Sequence, residues 1–286
     1  MKKICLVVLM ILTLFLTACG EDTTQLAKDE FAKYHNGKDE VVLTIHNSLY
    51  FENHILKEES LDSGVIYGTI VVYEKYIYYL TFDGEYEGLF KYRTDFANIY
   101  RCNFYGENIT KICSKELNTF NDVNAKSYKD SIYIEYEKND TTFIDKYTIS
   151  TDIYENIASG KNCNLSDYVP KEEPSRYDIE VIENTSPQKH GKFVITDSKT
   201  GIKNVIDDNY LRNTPYIKSM EMFNYSPKRF DISNGHVLLT YSMGAGDGWN
   251  YAYLVFEYDF DSDSLEYKLL AFPYDNCSFI DIIYIG

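Results

Sequence analysis

An acidic turn near the end of this 286-residue chain has the spacing of a metal-binding loop. Asp259, Asp261 and Asp263 follow one another like the first three ligands of a calcium loop. The sixth position of such a loop requires glycine and the twelfth glutamate, whereas this chain has Ser264 and Leu270 there. The segment therefore predicts a solvated hairpin turn, and the sequence implies neither a metal nor another cofactor.

The most unusual segment, from Ser242 to Asn250, could bind a ligand. It has three glycines in a run of five residues, and glycine favours backbone conformations that other residues avoid. Trp249, the only tryptophan of the chain, lies at the edge of this run with Asp247 and Asn250 beside it. An aromatic ring next to carboxylate and amide groups suits stacking on a sugar ring or on a partner's side chain. The alternative is a glycine-rich hairpin connection with Trp249 packed on a sheet.

Signatures of catalysis are missing from the sequence. The five histidines lack the paired helical spacing of a zinc protease, and no serine lies in a nucleophile elbow. They are His35, His46, His54, His190 and His236. Because carboxylates are so numerous, some pair must lie at a glycosidase-like separation by chance. The sequence therefore predicts a binding protein and not an enzyme.

Four cysteines follow the first twenty residues: Cys102, Cys113, Cys163 and Cys277. They allow three pairings, and their spacings do not match a zinc knuckle. Cys102 and Cys113 flank a turn sequence around Gly106 and could face each other across one hairpin. We therefore expect a disulfide between these two. The alternative is that they are free, buried thiols.

The first eighteen residues have the features of a secretory signal peptide. Met1-Lys2-Lys3 is positively charged, residues 4–16 are mostly apolar, and small residues follow. The apolar run is too short to span a bilayer comfortably. Residues 1–18 are therefore expected to be removed.

The end of this segment, Leu16-Thr17-Ala18-Cys19, resembles the lipobox of bacterial lipoproteins. The resemblance implies cleavage before Cys19 and attachment of a diacylglyceryl group to its sulfur. The chain would then be anchored to the lipid bilayer, on the extracytoplasmic face of the cell membrane. Two acyl chains give stable anchoring, since each buried methylene contributes about 0.8 kcal/mol. The alternative is an ordinary secretory signal with a chance cysteine.

The charge of the chain excludes some partners. The formal net charge is −16, and it becomes −18 once Lys2 and Lys3 leave with the signal. Proteins that bind nucleic acid neutralise phosphates with Lys and Arg, so this balance argues against a nucleic-acid partner. It also argues against a surface that lies on an anionic membrane leaflet.

Composition and periodicity predict an all-β fold after a short tether. Tyr and Phe are plentiful, with 28 and 16 residues, and both favour strands. Residues 19–40 read as a tether with one short helix, because Leu26, Phe31 and Tyr34 have loosely helical spacing. After the tether the period changes to two, and residues 41–286 are expected to form the β domain. One strand places Tyr76 and Phe82 on the same face and is expected to end at the turn dipeptide Asp83-Gly84.

Four hairpin-like units recur in this region. Each has an aromatic or β-branched strand, a polar turn and a second strand that ends in an aliphatic residue. They are Tyr100 to Ile112, Ile144 to Ile157, Phe193 to Ile206 and Phe256 to Leu269. Their ends are 45, 49 and 63 residues apart, close to the ~40 to 50 residues of a four-stranded propeller blade. A series of such sheets closed into a ring buries the faces that one sheet leaves open.

The first of these units lies in a region with a family resemblance. Residues 77–80, 88–95, 99–101 and 108–112 read IYYL, GLFKYRTD, IYR and NITKI. They resemble the Tyr-rich β-propeller repeats of exported Gram-positive proteins, over about residues 65 to 160. The chain departs from the pattern at Asp95-Phe96, where the family has a glycine. The resemblance implies an irregular β-propeller, and we count about five blades.

The C-terminal segment, Phe279 to Ile285, is apolar. We expect it to join a blade begun by the N-terminal part of the domain, which would close the ring and hide two strand edges. The alternative fold is a pair of β-sandwich domains that meet at the linker-like stretch from Tyr168 to Pro174.

Together these features predict a membrane-anchored lipoprotein that acts as a binding module. Its partner would be an envelope glycan, a peptide or another exported protein. The alternative is a carbohydrate-active propeller enzyme, a glycosidase or lyase, with carboxylates in the central channel. That alternative predicts ionisable side chains with perturbed pKa values in the channel. A solute-binding lipoprotein would alternate strands with long amphipathic helices, and this chain shows almost none.

Overall fold

A computed structural model describes residues 23–38, 40–45, 48–51, 55–58, 65–86, 92–171, 175–182, 191–219, 223–233, 235–245, 251–272 and 279–285. Within these residues the chain folds as an all-β propeller of five sheets. None of the helices in the described part has the length and apolar character needed to cross a membrane.

The sheets follow one another along the chain. The described part begins with α1 (Thr23–Phe31), β1 (Val41–Ile45), β2 (Ser48–Phe51) and β3 (Ile55–Glu58). Sheet 1 contains β4 (Val65–Tyr73), β5 (Tyr76–Tyr86), β6 (Tyr92–Cys102) and β7 (Thr110–Thr119). Sheet 2 contains β8 (Asn124–Tyr128), β9 (Ser131–Lys138), β10 (Thr141–Thr148) and β11 (Ile153–Gly160).

The second half continues with α2 (Leu165–Tyr168) and sheet 3, which contains β12 (Tyr177–Ile182), β13 (Lys192–Asp197) and β14 (Lys203–Ile206). Then come α3 (Asp208–Arg212) and α4 (Pro215–Ser219). Sheet 4 contains β15 (Phe223–Ser233), β16 (His236–Ala245), β17 (Tyr251–Asp259) and β18 (Ser264–Ala271). The last strand is β19 (Phe279–Tyr284).

The strands within the sheets are rich in Tyr and Ile because the sheets pack face to face. In β9 the first four residues, Ser131 to Ile134, are all buried, so both faces of the strand are covered. The exposed side chains instead gather on outermost strands such as β11. Packing on both faces is what a ring of sheets provides.

The predicted hairpin units coincide with the two outer strands of successive sheets. They pair as β6 with β7, β10 with β11, β13 with β14, and β17 with β18, all antiparallel. The all-β propeller prediction is therefore confirmed. Four sheets have the four strands of a complete blade and sheet 3 has three, within the described residues. The number of complete blades is thus four, where the sequence predicted about five.

The ring closes between the two ends of the domain. β19 pairs antiparallel with β1, with Val41 opposite Tyr284, and the order of this closing sheet is β19-β1-β2-β3. The C-terminal strand thus takes the innermost place in a sheet begun by N-terminal strands, as the apolar end of the chain predicted. The closing sheet packs on sheet 4 through Val41, Leu238 and Ile282.

Sheet 3 follows the stretch at which the two-sandwich alternative placed its boundary. After β11 the chain passes through α2, whose Leu165 packs on Tyr133 and Ile144 of sheet 2. It then enters β12, which packs beside β15. The closing sheet joins the two halves, because it packs on sheet 4 on one side and on sheet 1 on the other. The described sheets therefore form one ring and not two sandwich domains.

The described part of the expected tether is held against the propeller. Helix α1 buries Ala27 and Phe31, and Phe31 makes edge-to-face contacts with Tyr216 of α4 and Tyr267 of β18. Leu26 lies on the other side of the helix and is about half exposed. Residues 23–31 are thus a docked helix and not a free spacer.

Two local predictions are wrong. Strand β5 does not end at Asp83-Gly84, because it continues to Tyr86 through a register shift opposite β6. Gly84 serves as a bulge, where an added Cβ atom would lie 1.9 Å from the carbonyl oxygen of Arg93. The disulfide is also not formed, since Cys102 and Cys113 are free.

The strand register explains the free cysteines. Cys113 lies opposite Ile99, three residues before Cys102, and an odd separation puts the two side chains on opposite faces of the sheet. Cys102 packs with Ile77 and Tyr79. Cys113 borders a different core cluster, the one between sheets 1 and 2. Burial raises the pKa of the Cys102 thiol to about 12.

Candidate functional site

The inner strands of the propeller surround a cavity of about 920 Å³. All five sheets contribute to it, through the end of β4, β8, β15 and β19 and through the start of β12. Its lining residues are Ile70, Val71, Val72, Ser127, Tyr128, Lys129, Ser175, Arg176, Tyr177, Phe230, Asp231, Ile232, Ser233, Gly235, Ile282 and Ile283. We call this space the central cavity. Its size and mixed lining are typical of a ligand pocket.

The direction of each inner strand decides which of its side chains line the central cavity. The inner strands β4, β8 and β15 end here. The first two turn back at Glu74-Lys75 and Lys129-Asp130, and Ser233 at the end of β15 pairs with His236 of the next strand. β12 begins here instead, so it runs opposite to the other inner strands and has the direction of a second strand in a blade.

Arg176 is the central charged group on the rim of the cavity. Its guanidinium donates to the Asp197 carboxylate at 2.8 and 3.2 Å and approaches Asp261 at 3.4 Å. The hydrogen bonds from Arg176, with help from the backbone N–H of Lys199, lower the pKa of Asp197 to about 2. The guanidinium also lies 5.1 Å from the centre of the Tyr177 ring. This pair therefore stays ionised at all ordinary pH values.

The remaining charged groups of the cavity also have partners. Asp231 accepts two hydrogen bonds from Arg229, at 2.9 and 3.1 Å. The ammonium group of Lys129 lies 5.3 Å from the centre of the Tyr128 ring. The cavity thus combines aliphatic walls from the strands with a rim of aromatic rings and ion pairs.

A second charged cluster lies beside the cavity, where sheet 4 meets the closing sheet. Lys268 of β18 has a side chain only 2% exposed, yet it contacts three carboxylates. It donates to Glu257 at 3.0 Å, to Glu266 at 3.2 Å and to Glu40, which lies just before β1. His236 bonds to Glu257 and stacks on the Tyr284 ring, with 3.7 Å between ring centres. We call this set the Lys268 cluster.

Charges within this cluster stabilise one another. Burial alone would lower the pKa of Lys268, but the hydrogen bonds that it donates to its carboxylate partners raise this pKa well above the ordinary value. Burial acts to raise the pKa of Glu40, and the contact with Lys268 outweighs it, so that this pKa is lowered. A space of about 350 Å³ lies against His236, Glu257 and Glu266. A lysine with a raised pKa is a structural cation and a poor nucleophile.

Several residues singled out in the sequence lie outside the described residues. They include Cys19, Cys277 and the glycine-rich loop residues Asp247, Trp249 and Asn250. The strand ends that flank the loop, Ala245 and Tyr251, lie at the far end of sheet 4 from His236. The ligand-binding role of Trp249 therefore stays a prediction.

The carboxylates of the acidic turn make hydrogen bonds within their own hairpin. One carboxylate oxygen of Asp259 accepts the backbone N–H groups of Asp261 and Ser262, at 2.9 and 3.3 Å. Asp263 accepts the Tyr258 hydroxyl at 2.6 Å. Within the described residues no group of three or more His, Cys, Asp or Glu side chains is placed to hold a metal ion.

Sequence reasoning missed both Arg176 and Lys268. Lys268 carried a usable indication, because it lies in β18 between Tyr267 and Leu269 and both of these are buried. A lysine inside an apolar run of a propeller strand needs carboxylate partners. Arg176 gave no such indication, because it follows the linker-like stretch and finds Asp197 only after sheet 3 forms.

The chain matches no protein-family model and no curated protein. Similar solved structures include a chain of the nidogen/laminin complex, at 7% identity over 86% of this chain and 98% of that one, with a TM-score of 0.27. A Lactobacillus plantarum protein has 10% identity over 85% and 86% of the two chains, with a TM-score of 0.22. The protein described as TolB from Agrobacterium tumefaciens has 10% identity over 87% and 100%, with a TM-score of 0.24. TM-scores this low carry no argument, and the propeller fold is shown by the order of strands in the sheets.

Proposed function

We propose that this chain is a lipoprotein, anchored through diacylglyceryl Cys19 at the extracytoplasmic face of the cell membrane, whose propeller binds an envelope glycan, a peptide or another exported protein. The observation that carries the binding role is the central cavity, where inner strands of all five sheets meet. The anchor is supported by the sequence of residues 16–19.

Binding without conversion is favoured by the state of the charged groups. Arg176 and Asp197 neutralise each other, and Arg229 does the same for Asp231. A general acid in the cavity would need a carboxyl group with a raised pKa, whereas the pKa of Asp197 is lowered. The carbohydrate-active enzyme has no comparable support from these residues, and turnover assays on cell-wall polysaccharides would revive it if they succeeded.

The anchor is tested by expressing the full chain in a bacterial host that is fed an alkyne fatty acid. The wild-type protein should take up the label and sediment with membranes, and Cys19→Ala should do neither. Cys5→Ala is the matched control, because that cysteine lies in the segment expected to be removed. Labelling that persists in Cys19→Ala would overturn the anchor.

The binding role is tested by thermal shift on the detergent-purified full chain, with envelope sugars, peptidoglycan fragments and peptides as probes. A ligand at a hundred times its Kd adds about 2.7 kcal/mol to the free energy of unfolding, which raises Tm by several degrees. Lys129→Glu changes the cavity, Trp249→Ala changes the glycine-rich loop, and Lys161→Glu is an exposed control outside both.

Loss of the shift in Lys129→Glu alone would place the ligand at the central cavity. Loss in Trp249→Ala alone would place it at the glycine-rich loop. If a cooperatively melting protein shows no shift with any probe, small-molecule and peptide binding are contradicted.

A further inference from the structure

Sheet 3 leaves one edge of β12 without a partner strand. Within the described residues β12 pairs only with β13, whereas every other sheet has four strands. The inner strands β15, β19, β4 and β8 contact one another in that order, and β12 contacts β15. Described residues of β8 and β12 make no comparable contact. Within the described residues, the interruption in the inner ring therefore lies between β8 and β12.

The register shows which backbone groups point towards this edge. The carbonyl of Arg176 accepts the N–H of Ser198, so Arg176 points its carbonyl towards β13. The N–H of Asp197 donates to Ile202 on the side of β14, so it points away from Tyr177. Hydrogen-bonding direction alternates along a strand. The backbone groups of Tyr177, Ile179 and Val181 therefore point to the free edge, where the N–H of Tyr177 already donates to Ser175 Oγ at 3.0 Å.

The side chains of β12 alternate between its two faces, and the two faces differ in chemistry. Ile179 is buried, and Tyr177 and Val181 are half-buried against the core of sheets 3 and 4. Asp178 and Glu180 are exposed on the opposite face. An added strand would therefore meet aliphatic and aromatic groups on one face and two carboxylates on the other.

We propose that β12 receives an extended segment of another polypeptide as an additional strand, and that this segment alternates aliphatic with basic residues. Strand addition of this kind takes affinity from main-chain hydrogen bonds and specificity from alternate side chains. Lys or Arg opposite Asp178 and Glu180 supplies favourable cross-strand pairs. The start of the edge, Ser175 to Tyr177, lines the central cavity, so the incoming segment enters the same space.

This inference rests on the proposed binding function and names its ligand class as a peptide segment. The strong negative charge of the chain agrees with a basic partner. An unpaired edge also invites unwanted association, and the two exposed carboxylates limit it to complementary strands.

The test measures fluorescence anisotropy of an eight-residue peptide that alternates valine and lysine, with the full chain in detergent. The peptide should bind, and binding should weaken with added salt. Val181→Pro removes a backbone N–H that points to the free edge, and proline is tolerated on edge strands. We expect at least a tenfold loss of affinity with little change in Tm.

A charge exchange keeps the proposal testable if Val181→Pro fails to fold. Asp178→Lys/Glu180→Lys should lose the valine–lysine peptide and gain a valine–glutamate peptide. The matched control, Glu116→Lys/Glu155→Lys, changes two exposed carboxylates on the outermost strands β7 and β11 and should keep the original preference.

Hydrogen exchange then distinguishes the two proposals. In the free protein the amides of Ile179 and Val181 should exchange quickly, and the peptide should protect them. Protection in the free protein, or equal loss of affinity in the control variant, would overturn strand addition. A thermal shift with a sugar but none with the peptide would also overturn it, while the binding module itself would stand.

Discussion

A single guanidinium connects three elements on the rim of the central cavity. Arg176 lies just before β12, and its two carboxylate partners lie at the end of β13 and in the hairpin after β17. The Asp197 side chain is only 1% exposed, so its charged form depends on this partner. Removing one member of such a pair leaves the other charge without compensation.

The pair predicts a specific dependence of stability on pH. The pKa of Asp197 is about 2 in the folded protein and 3.8 in its ordinary state. Because the folded value is the lower one, the carboxylate contributes stability above pH 4, and this contribution is lost as the pH falls towards 2. In Arg176→Gln the pKa of Asp197 should return towards 3.8, and the free energy of unfolding should fall at neutral pH and vary less between pH 4 and 2.

Urea unfolding at several pH values and carboxyl titration by NMR measure these two quantities. Arg212→Gln is the control, because its contact with Asp208 is an exposed pair within α3. An unchanged pKa of Asp197 in Arg176→Gln would contradict the prediction.

Single residues were the least predictable level from sequence. The spacing of Cys102 and Cys113 suggested facing positions, but their face is set by the register of β6 and β7, which the long turn between them leaves open. Lys268 could have been recognised from its apolar neighbours, but the identity of Glu40 as its partner depends on a contact across 228 positions. Contacts of this kind arise only after the ring has closed.

At the scale of elements, the outer hairpins repeat one device. The Tyr147 hydroxyl donates to Asp152 at 2.8 Å, and the Tyr258 hydroxyl donates to Asp263 at 2.6 Å. Both aspartates have a positive φ, and Gly201 has one in the corresponding turn of sheet 3. Asp, Asn and Gly tolerate this conformation best. These hairpins were therefore predictable from sequence, because the turn chemistry and the strand pattern agree.

The Asp83-Gly84 bulge shows where the same reasoning failed. Asp-Gly is a strong turn dipeptide, yet here the Asp83 carboxylate accepts Asn98 Nδ2 at 2.7 Å and Thr81 Oγ1 at 2.9 Å. These bonds link the dipeptide to β5 and β6 and hold it inside the sheet. Tertiary contacts thus overrode the local preference.

The bulge gives a prediction at this scale. In Gly84→Ala the new Cβ would lie 1.9 Å from the Arg93 carbonyl oxygen, which belongs to the backbone and cannot swing away. We expect the free energy of unfolding to fall by about 3 kcal/mol, the upper end for overpacking. Gly160→Ala is the control, since its Cβ would meet only Cys163 Sγ at 3.5 Å, and a loss within about 0.5 kcal/mol is expected. Equal losses in the two variants, measured by urea unfolding, would contradict the bulge.

At the scale of the whole molecule, stability depends on the closure of the ring. The pairing of β1 with β19 was predictable, because an apolar C-terminal strand needs a covered place and the N-terminal strands offer one. The incomplete sheet 3 was not predictable, since its outer hairpin has the same sequence pattern as the outer hairpins of the four-stranded sheets. Closure also has a polar component that the strand pattern does not reveal, the Lys268 cluster.

Lys268→Met tests that polar component. The substitution keeps most of the side-chain volume but leaves the carboxylates of Glu40, Glu257 and Glu266 without their shared cation. Breaking a buried pair costs about 3 to 5 kcal/mol, and we expect the lower end because Glu266 is half exposed. Lys161→Met, at an exposed turn after β11, should change the free energy of unfolding by less than about 0.5 kcal/mol.

The stability that Lys268→Met removes is lost either by the whole ring or by the closing sheet alone. If the Lys268 cluster holds the closure, one cooperative urea transition should shift as a whole, because opening the closing sheet exposes the faces of both its neighbours. Hydrogen exchange should then show equal loss of protection in β1 and in the distant strand β9. Loss confined to β1 and β19 would mean that the closing sheet opens by itself, and the cluster would then stabilise one sheet and not the ring.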